Sequence, residues 1–129
     1  MRRLRSPDAY ATVWAILERR GFCVPKQPAP KSRVFGDVGL DGYDFMLIVS
    51  EVESTLGIHV DTDWLLDRPP RVEVAAYLKR LHLENVAING YDASNPKALR
   101  NLVMGHMTLA SFVATIRDAV ERPAVIHIK

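Results

Sequence analysis

The clearest alternation of apolar and polar positions in this chain runs from residue 42 to residue 56. Five apolar residues recur there at steps of three and four positions, in the order Phe45, Ile48, Val49, Val52 and Leu56. This spacing places them along one side of an α-helix, where they can face a core. Asp41 stands where a helix cap is expected, Asp44 follows in the first turn, and Gly57 marks the end. The pattern therefore predicts an amphipathic helix over 42–56.

Two further segments repeat this helical spacing. The first covers 7–20, follows the start signal Ser6-Pro7-Asp8 and stops at Gly21; its apolar face comprises Tyr10, Val13, Trp14 and Leu17. The other covers 108–121 and opens with Thr108 as its cap; its apolar face comprises Leu109, Phe112, Val113, Ile116 and Val120. Residues 22–33 contain three prolines and no period, which predicts a long surface loop.

The region that follows the helix at 42–56 is ambiguous. Residues 63–67 fit one short helical turn, and residues 71–82 regain helical spacing after a pair of prolines. Either 71–82 or 108–121 can therefore close a small helical bundle. We favour 108–121, which leaves 71–105 as an enlarged insertion.

Additional elements are predicted inside and after this insertion. Asn95-Pro96 opens another helix that ends at Gly105. Short apolar runs at 86–88 and 125–128 allow a minimal β pairing, although two short strands alone are marginally stable. The predicted fold class is thus all-α, with extra C-terminal elements.

Composition places the chain among ordinary globular domains. Its 129 residues, of which 48% are hydrophobic, are enough for one core, so we expect 1–129 to form a single domain. No run of about 18 apolar residues is present, which argues against a membrane-spanning helix. Arg2, Arg3 and Arg5 precede no uninterrupted apolar stretch, and Cys23 is the only cysteine. We therefore expect a cytoplasmic protein without disulfides.

Charge is unevenly distributed, although the net charge is only +2. Residues 34–67 contain eight carboxylates and neither Lys nor Arg, so this central block has a net charge of −8. Residues 1–33 have a net charge of +6, and residues 68–129 have one of +4. Two interpretations stay open. The acidic helix faces a basic partner, or its carboxylates pair with the basic segments of the same chain.

The segment around 42–56 resembles the acyl carrier protein family in three consecutive features. They are the run Gly39-Leu40-Asp41-Gly42-Tyr43-Asp44, the apolar-striped helix and the run Val60-Asp61-Thr62-Asp63. In that family, the position of Gly42 holds the serine whose hydroxyl carries the 4′-phosphopantetheine arm. Glycine offers no hydroxyl. The resemblance therefore implies a four-helix carrier-like bundle that lacks this attachment site and binds no cofactor.

The same resemblance implies a surface for a protein partner. In acyl carriers, enzymes recognise the outward side of the second helix, and the matching outward positions here are Leu47, Glu53 and Ser54. The predicted partner-binding residues are Asp41, Tyr43, Asp44, Leu47, Glu51, Glu53 and Ser54. Met46 either joins them as an exposed apolar residue or packs under the preceding loop. The expected partner is a synthase or transferase that also recognises true carriers.

The resulting hypothesis is a non-catalytic, acyl-carrier-like interaction module. The alternative is a working carrier of fatty acid or polyketide metabolism, with Gly42 as an inactivating substitution or with the arm elsewhere. Ser94 is the candidate for such a displaced attachment, because it precedes a predicted helix N-terminus, where backbone N–H groups favour phosphate. A capping or turn role is the commoner use of a serine in this position.

Other chemistries find less support in the sequence. The four histidines, His59, His82, His106 and His127, form no pair at helical spacing and have no second cysteine beside them, so no metal site is predicted. No convergent set of nucleophile and base marks an enzyme. The basic start lacks interleaved aromatic residues, and the acidic centre repels a polyanion, so no nucleic acid partner is expected.

Overall fold

The computed structural model describes residues 9–22, 31–65, 73–83, 86, 88, 91–92 and 94–121. This part of the chain is helical and contains no strand; its helices are α1 (Ala9–Arg19), α2 (Gly42–Leu56), α3 (Val74–Arg80), α4 (Ala98–His106) and α5 (Leu109–Glu121). A 3-10 turn at Asp63–Leu65 follows α2. Each described helix lacks the combination of length and apolar character that would let it span a bilayer. The prediction of an all-α fold class is therefore confirmed for the described residues.

The predicted bounds can be compared with these helices element by element. The helix predicted over 42–56 is α2, and the middle of the predicted 71–82 helix is α3. Residues 7 and 8 of the first predicted helix lie outside the described residues, as do residues 66 and 67 of the predicted turn. The described part of that turn, residues 63–65, is a 3-10 turn and not an α-helix.

Side-chain caps and a left-handed glycine delimit α2. Asp41 Oδ1 accepts the Asp44 N–H at 2.7 Å, and Asp44 Oδ2 accepts the Asp41 N–H at 3.3 Å, so two otherwise unpaired donors of the first turn are satisfied. At the other end Gly57 has φ +66°, and the N–H groups of Gly57 and Ile58 both donate to the Glu53 carbonyl. Glycine adopts this conformation without a steric penalty. The local signals in the sequence therefore explain both ends of α2.

A similar reciprocal cap starts α5, but here two hydroxyl groups take the place of the two carboxylates. Thr108 Oγ1 accepts the Ser111 N–H at 3.1 Å, as the sequence predicts, and Ser111 Oγ accepts the Thr108 N–H at 3.0 Å. The start of α4 differs from the prediction at Asn95-Pro96. The Asn95 side chain accepts the Lys97 N–H at 2.9 Å, which forms a turn, so the helix begins only at Ala98.

The core brings together buried residues from all five helices in one cluster. At its centre the Phe45 ring lies 5.1–5.4 Å, centroid to centroid, from the rings of Phe35, Trp64 and Phe112. These distances are typical of stabilising aromatic pairs. α1 packs against both α2 and α5, and α4 packs against the 3-10 turn. One of the two candidate closing helices, α5, therefore packs against α1.

Residues 31–40 are more ordered than the sequence predicts for the end of a loop. Arg33 and Thr108 form an isolated antiparallel bridge, in which the Val34 N–H donates to the Met107 carbonyl and the Leu109 N–H to the Ser32 carbonyl, both at 2.9 Å. This bridge ties the entry to α2 to the junction between α4 and α5. The β pairing proposed for 86–88 cannot be placed, because 125–128 lie outside the described residues.

Candidate protein-docking site

The candidate site lies at the start of α2 and is formed by residues 41–46 and 62–65, which we call the α2 head. Gly42 is the first residue of α2 and has no left-handed backbone conformation. A Cβ built at this position would meet only Leu65 Cδ2, at 3.9 Å, which is an ordinary van der Waals distance. The backbone therefore does not require glycine at residue 42, and there is room for a Cβ atom at this position.

The two acidic residues of this segment have a structural role. Asp41 and Asp44 exchange the two capping hydrogen bonds of α2, as described above. Their negative charges also lie at the positive end of the helix dipole. Asp41 is exposed and Asp44 half-buried, so both carboxylates keep access to solvent while they cap the helix.

Exposed apolar side chains lie beside these caps. Tyr43 is 72% exposed and Met46 is 41% exposed, and they are the large hydrophobic residues that the described part of the chain leaves in solvent. Both line an open pocket of about 360 Å³, together with Gly42, Thr62 and Leu65. Met46 is therefore exposed, as one of the two alternatives predicts. Most of the loop under which the other alternative places it, residues 23–30, lies outside the described residues.

The opposite wall of this pocket is held in place by contacts on either side. Trp64 is buried in the aromatic cluster. Asp61 Oδ1 accepts the Asp63 N–H at 2.9 Å and the Tyr77 hydroxyl at 3.0 Å, which ties the turn to α3. Burial and the nearby Asp61 carboxylate raise the pKa of Tyr77, so its hydroxyl stays protonated as a donor. The Arg80 guanidinium lies over the Tyr77 ring and 3.7 Å from Asp61.

The acidic residues farther along α2 are engaged within the chain. Glu51 accepts hydrogen bonds from Arg19 and Arg20 at the end of α1, with Arg20 Nε at 3.0 Å. Glu53 Oε2 accepts the Val60 N–H at 2.9 Å and lies 3.4 Å from His59 Nδ1. We call residues 51–60 the α2 tail. Glu51 shows the internal pairing with a basic segment that the charge distribution left open, whereas Glu53 binds within the tail itself.

The remaining predicted site residues have mixed environments. Ser54 is exposed on the α2 tail, whereas Leu47 is half-buried between the head and the tail. Ser94 does not cap a helix: its N–H and its hydroxyl both donate to Asp92 Oδ1, at 3.0 and 2.6 Å, and these hydrogen bonds lower the pKa of the Asp92 carboxyl. α4 begins only at Ala98. The argument for phosphate binding at Ser94 therefore loses its geometric basis.

Several interactions in this region escape prediction from sequence. Thr62 and Leu65 line the pocket, although they follow α2 by several residues and carry no local signal. His82 has φ +61° at the end of α3, where glycine is usual, and its Nε2 lies 2.7 Å from Asp118 Oδ2 of α5. The two residues are 36 positions apart, so no periodicity connects them.

The α2 head combines an open pocket, exposed apolar side chains and carboxylates at its edge. This combination suits contact with a protein surface. Among the described residues, no group of three or more His, Cys, Asp or Glu side chains could hold a metal ion. No known family model, curated protein or solved structure matches this chain.

Proposed function

We propose that this chain is an acyl-carrier-like interaction module without a phosphopantetheine arm, and that it binds a protein partner through the α2 head. In this proposal it catalyses no reaction and acts in the cytoplasm, in keeping with its single cysteine. The expected partner is a synthase or transferase that also recognises true carriers. Position 42 would be the place where a carrier's arm begins.

The observation that carries the proposal is the pair of exposed apolar residues next to the pocket. Tyr43 and Met46 are 72% and 41% exposed, one turn apart on α2. Large apolar side chains clustered beside a concavity are typical of a contact surface, because binding removes their apolar area from water. A partner's apolar side chain would fill the pocket between Tyr43 and Leu65.

Electrostatics restricts the partner further. Asp41 and Asp44 lie at the first turn of α2, and Asp63 opens the turn that carries Leu65. These three carboxylates make no ion pair with Lys, Arg or His in the described residues. Glu51 and Glu53 of the predicted surface are already engaged internally. The proposal therefore assigns a basic partner face to the α2 head rather than to the whole helix.

An arm-loading experiment tests the relation to carriers. The wild type and a Gly42→Ser variant are incubated with coenzyme A and a broad-specificity phosphopantetheinyl transferase, and intact mass is measured. The wild type is expected to stay unmodified. The variant is expected to gain one pantetheine phosphate, because position 42 has room for a Cβ beside Leu65 and the serine would restore the hydroxyl that carriers use.

Two outcomes would overturn this relation. Arm attachment to the wild type would favour the alternative, a working carrier in fatty acid or polyketide metabolism, and peptide mapping at Ser94 would locate the arm. If the Gly42→Ser variant is folded and stays unmodified, the proposed relation to acyl carriers is contradicted. Circular dichroism establishes that the variant is folded.

A capture experiment tests the surface itself. A photo-crosslinking amino acid is placed at Tyr43 on the α2 head, with the matched control at the exposed Ser54 on the α2 tail. Position 43 is expected to crosslink a partner, and the Met46→Ser variant should reduce that yield. Equal or stronger crosslinking from position 54 would contradict the proposed location.

A further inference from the structure

The methionines of the described residues differ sharply in access to solvent. Met46 is 41% exposed, whereas Met107 is 1% exposed and Met104 packs partly buried against the core. Oxidation of a thioether requires contact between its sulfur and the oxidant, so susceptibility follows exposure. A dissolved oxidant therefore reaches Met46 before it reaches the other two.

The position of Met46 gives its oxidation a local consequence. The side chain lines the pocket of the α2 head beside Tyr43 and Leu65. A sulfoxide replaces the apolar, polarisable sulfur by a strongly polar S–O group. Burying that group against an apolar partner without a hydrogen bond is unfavourable. Oxidation therefore converts this wall of the pocket from apolar to polar.

The helix itself does not depend on Met46. Its buried stripe consists of Phe45, Ile48, Val49 and Val52. The capping exchange between Asp41 and Asp44 holds the first turn. Because Met46 is an exposed residue outside this buried stripe, the fold is expected to tolerate an oxygen added to its side chain.

We propose that Met46 is a site of oxidation by hydrogen peroxide. Its oxidation makes the Met46 wall of the α2 head polar, and reduction restores the apolar wall. A sulfur lone pair forms the S–O bond, the O–O bond of the peroxide breaks, and the second oxygen leaves as water. The thioether loses two electrons and the peroxide gains them. Methionine sulfoxide reductases reverse such a step. The consequence for partner binding rests on the proposed function, whereas the site and its chemistry do not.

The test compares wild type, Met46→Leu and Met46→Gln before and after brief peroxide treatment. Among the three methionines of the described residues, peptide mass mapping should find oxygen first at Met46, on the order of tenfold faster than at Met104 or Met107. The oxidised wild type should elute earlier from a phenyl column, as Met46→Gln does untreated, and Met46→Leu should keep its retention. The thermal unfolding midpoint of singly oxidised wild type should stay within about 2 °C of the untreated protein.

Two results would overturn the inference. If Met104 or Met107 took up oxygen as fast as Met46, Met46 would not be a preferred oxidation site. Unfolding on oxidation of Met46, or unchanged retention on the phenyl column, would contradict the claim that oxidation changes only the polarity of the pocket wall. Neither readout involves a partner, so a failed crosslink from Tyr43 would count against the proposed function alone.

Discussion

The two ends of α2 are built from similar residues and serve different purposes. At the α2 tail, Glu51 accepts hydrogen bonds from Arg19 and Arg20. Glu53 accepts the backbone N–H of Val60. At the α2 head, Asp41 and Asp44 bond only to each other's backbone within the described residues. In the tail, Glu51 is thus paired with two arginines and Glu53 is hydrogen-bonded to the backbone. Within the described residues the acids of the head make no ion pair, and they lie beside exposed apolar side chains.

This difference shows why a charge count along the helix is a poor guide to a binding surface. The central block is strongly acidic as a whole. Much of that charge is matched internally, since Asp37, Glu51 and Asp61 all lie within ion-pair distance of arginines. What distinguishes the head, as far as the described residues show, is that exposed apolar area, a pocket and carboxylates without an ion-pair partner occur together. Three predictions test this difference between the head and the tail.

The largest expected effect comes from the cap at the α2 head. Replacement Asp41→Ala removes the side-chain acceptor for the Asp44 N–H. It should lower the free energy of unfolding by about 1–2 kcal/mol, measured by urea denaturation. Replacement Asp41→Asn keeps an acceptor and should cost only a few tenths of a kcal/mol. Equal stability of the Ala and Asn variants would mean that this carboxylate does not cap α2.

The glycines at the two ends of α2 should respond with opposite signs. Gly57→Ala places a Cβ on a residue with φ +66° and should cost about 1 kcal/mol of unfolding free energy. Gly42→Ala adds a methyl group at a helical position with ordinary clearance, and should stabilise by about 0.5 kcal/mol. Matched urea titrations measure both values. A destabilising Gly42→Ala would show that glycine is structurally required at the head.

The smallest effect is expected at the ion pairs of the α2 tail. Glu51→Gln removes the charge that attracts Arg19 and Arg20, but these groups are partly exposed. The loss should be about 0.2–0.4 kcal/mol at low salt and should shrink at about 1 M NaCl. Asp63→Asn, at the head, should leave stability within about 0.5 kcal/mol. A salt-independent loss at Glu51 would indicate packing rather than charge.

Local patterns in the sequence were sufficient for α2 and for the first turn of α5. The capping roles of Asp41 and Thr108 and the stop at Gly57 each depend on residues within about one helical turn. Such signals act on the backbone within a few residues, so they can be recognised from the sequence alone. The exposed position of Met46 did not follow in the same way, because its place off the apolar stripe of the helix left two alternatives open.

Interactions between distant segments were not accessible in this way. The sequence predicts Glu51 as part of a partner surface, yet Arg19 and Arg20 engage it from more than 30 residues away. The pocket requires Leu65 to come opposite Gly42, which depends on the burial of Trp64 in the aromatic cluster. The bridge between Arg33 and Thr108 likewise joins two loops that have no periodic pattern.

The amino-acid order by itself determined that Gly42 opens an amphipathic, capped helix and offers no hydroxyl at that position. Helix periodicity, caps and side-chain identity are local properties of the chain, and they survive any change in how the helices are arranged. Tertiary structure alone decided which carboxylates are matched by arginines and which apolar groups stay in solvent. Those outcomes depend on the packing of α1, α2 and the turn at 63–65, because burial and charge pairing are set by neighbours in space.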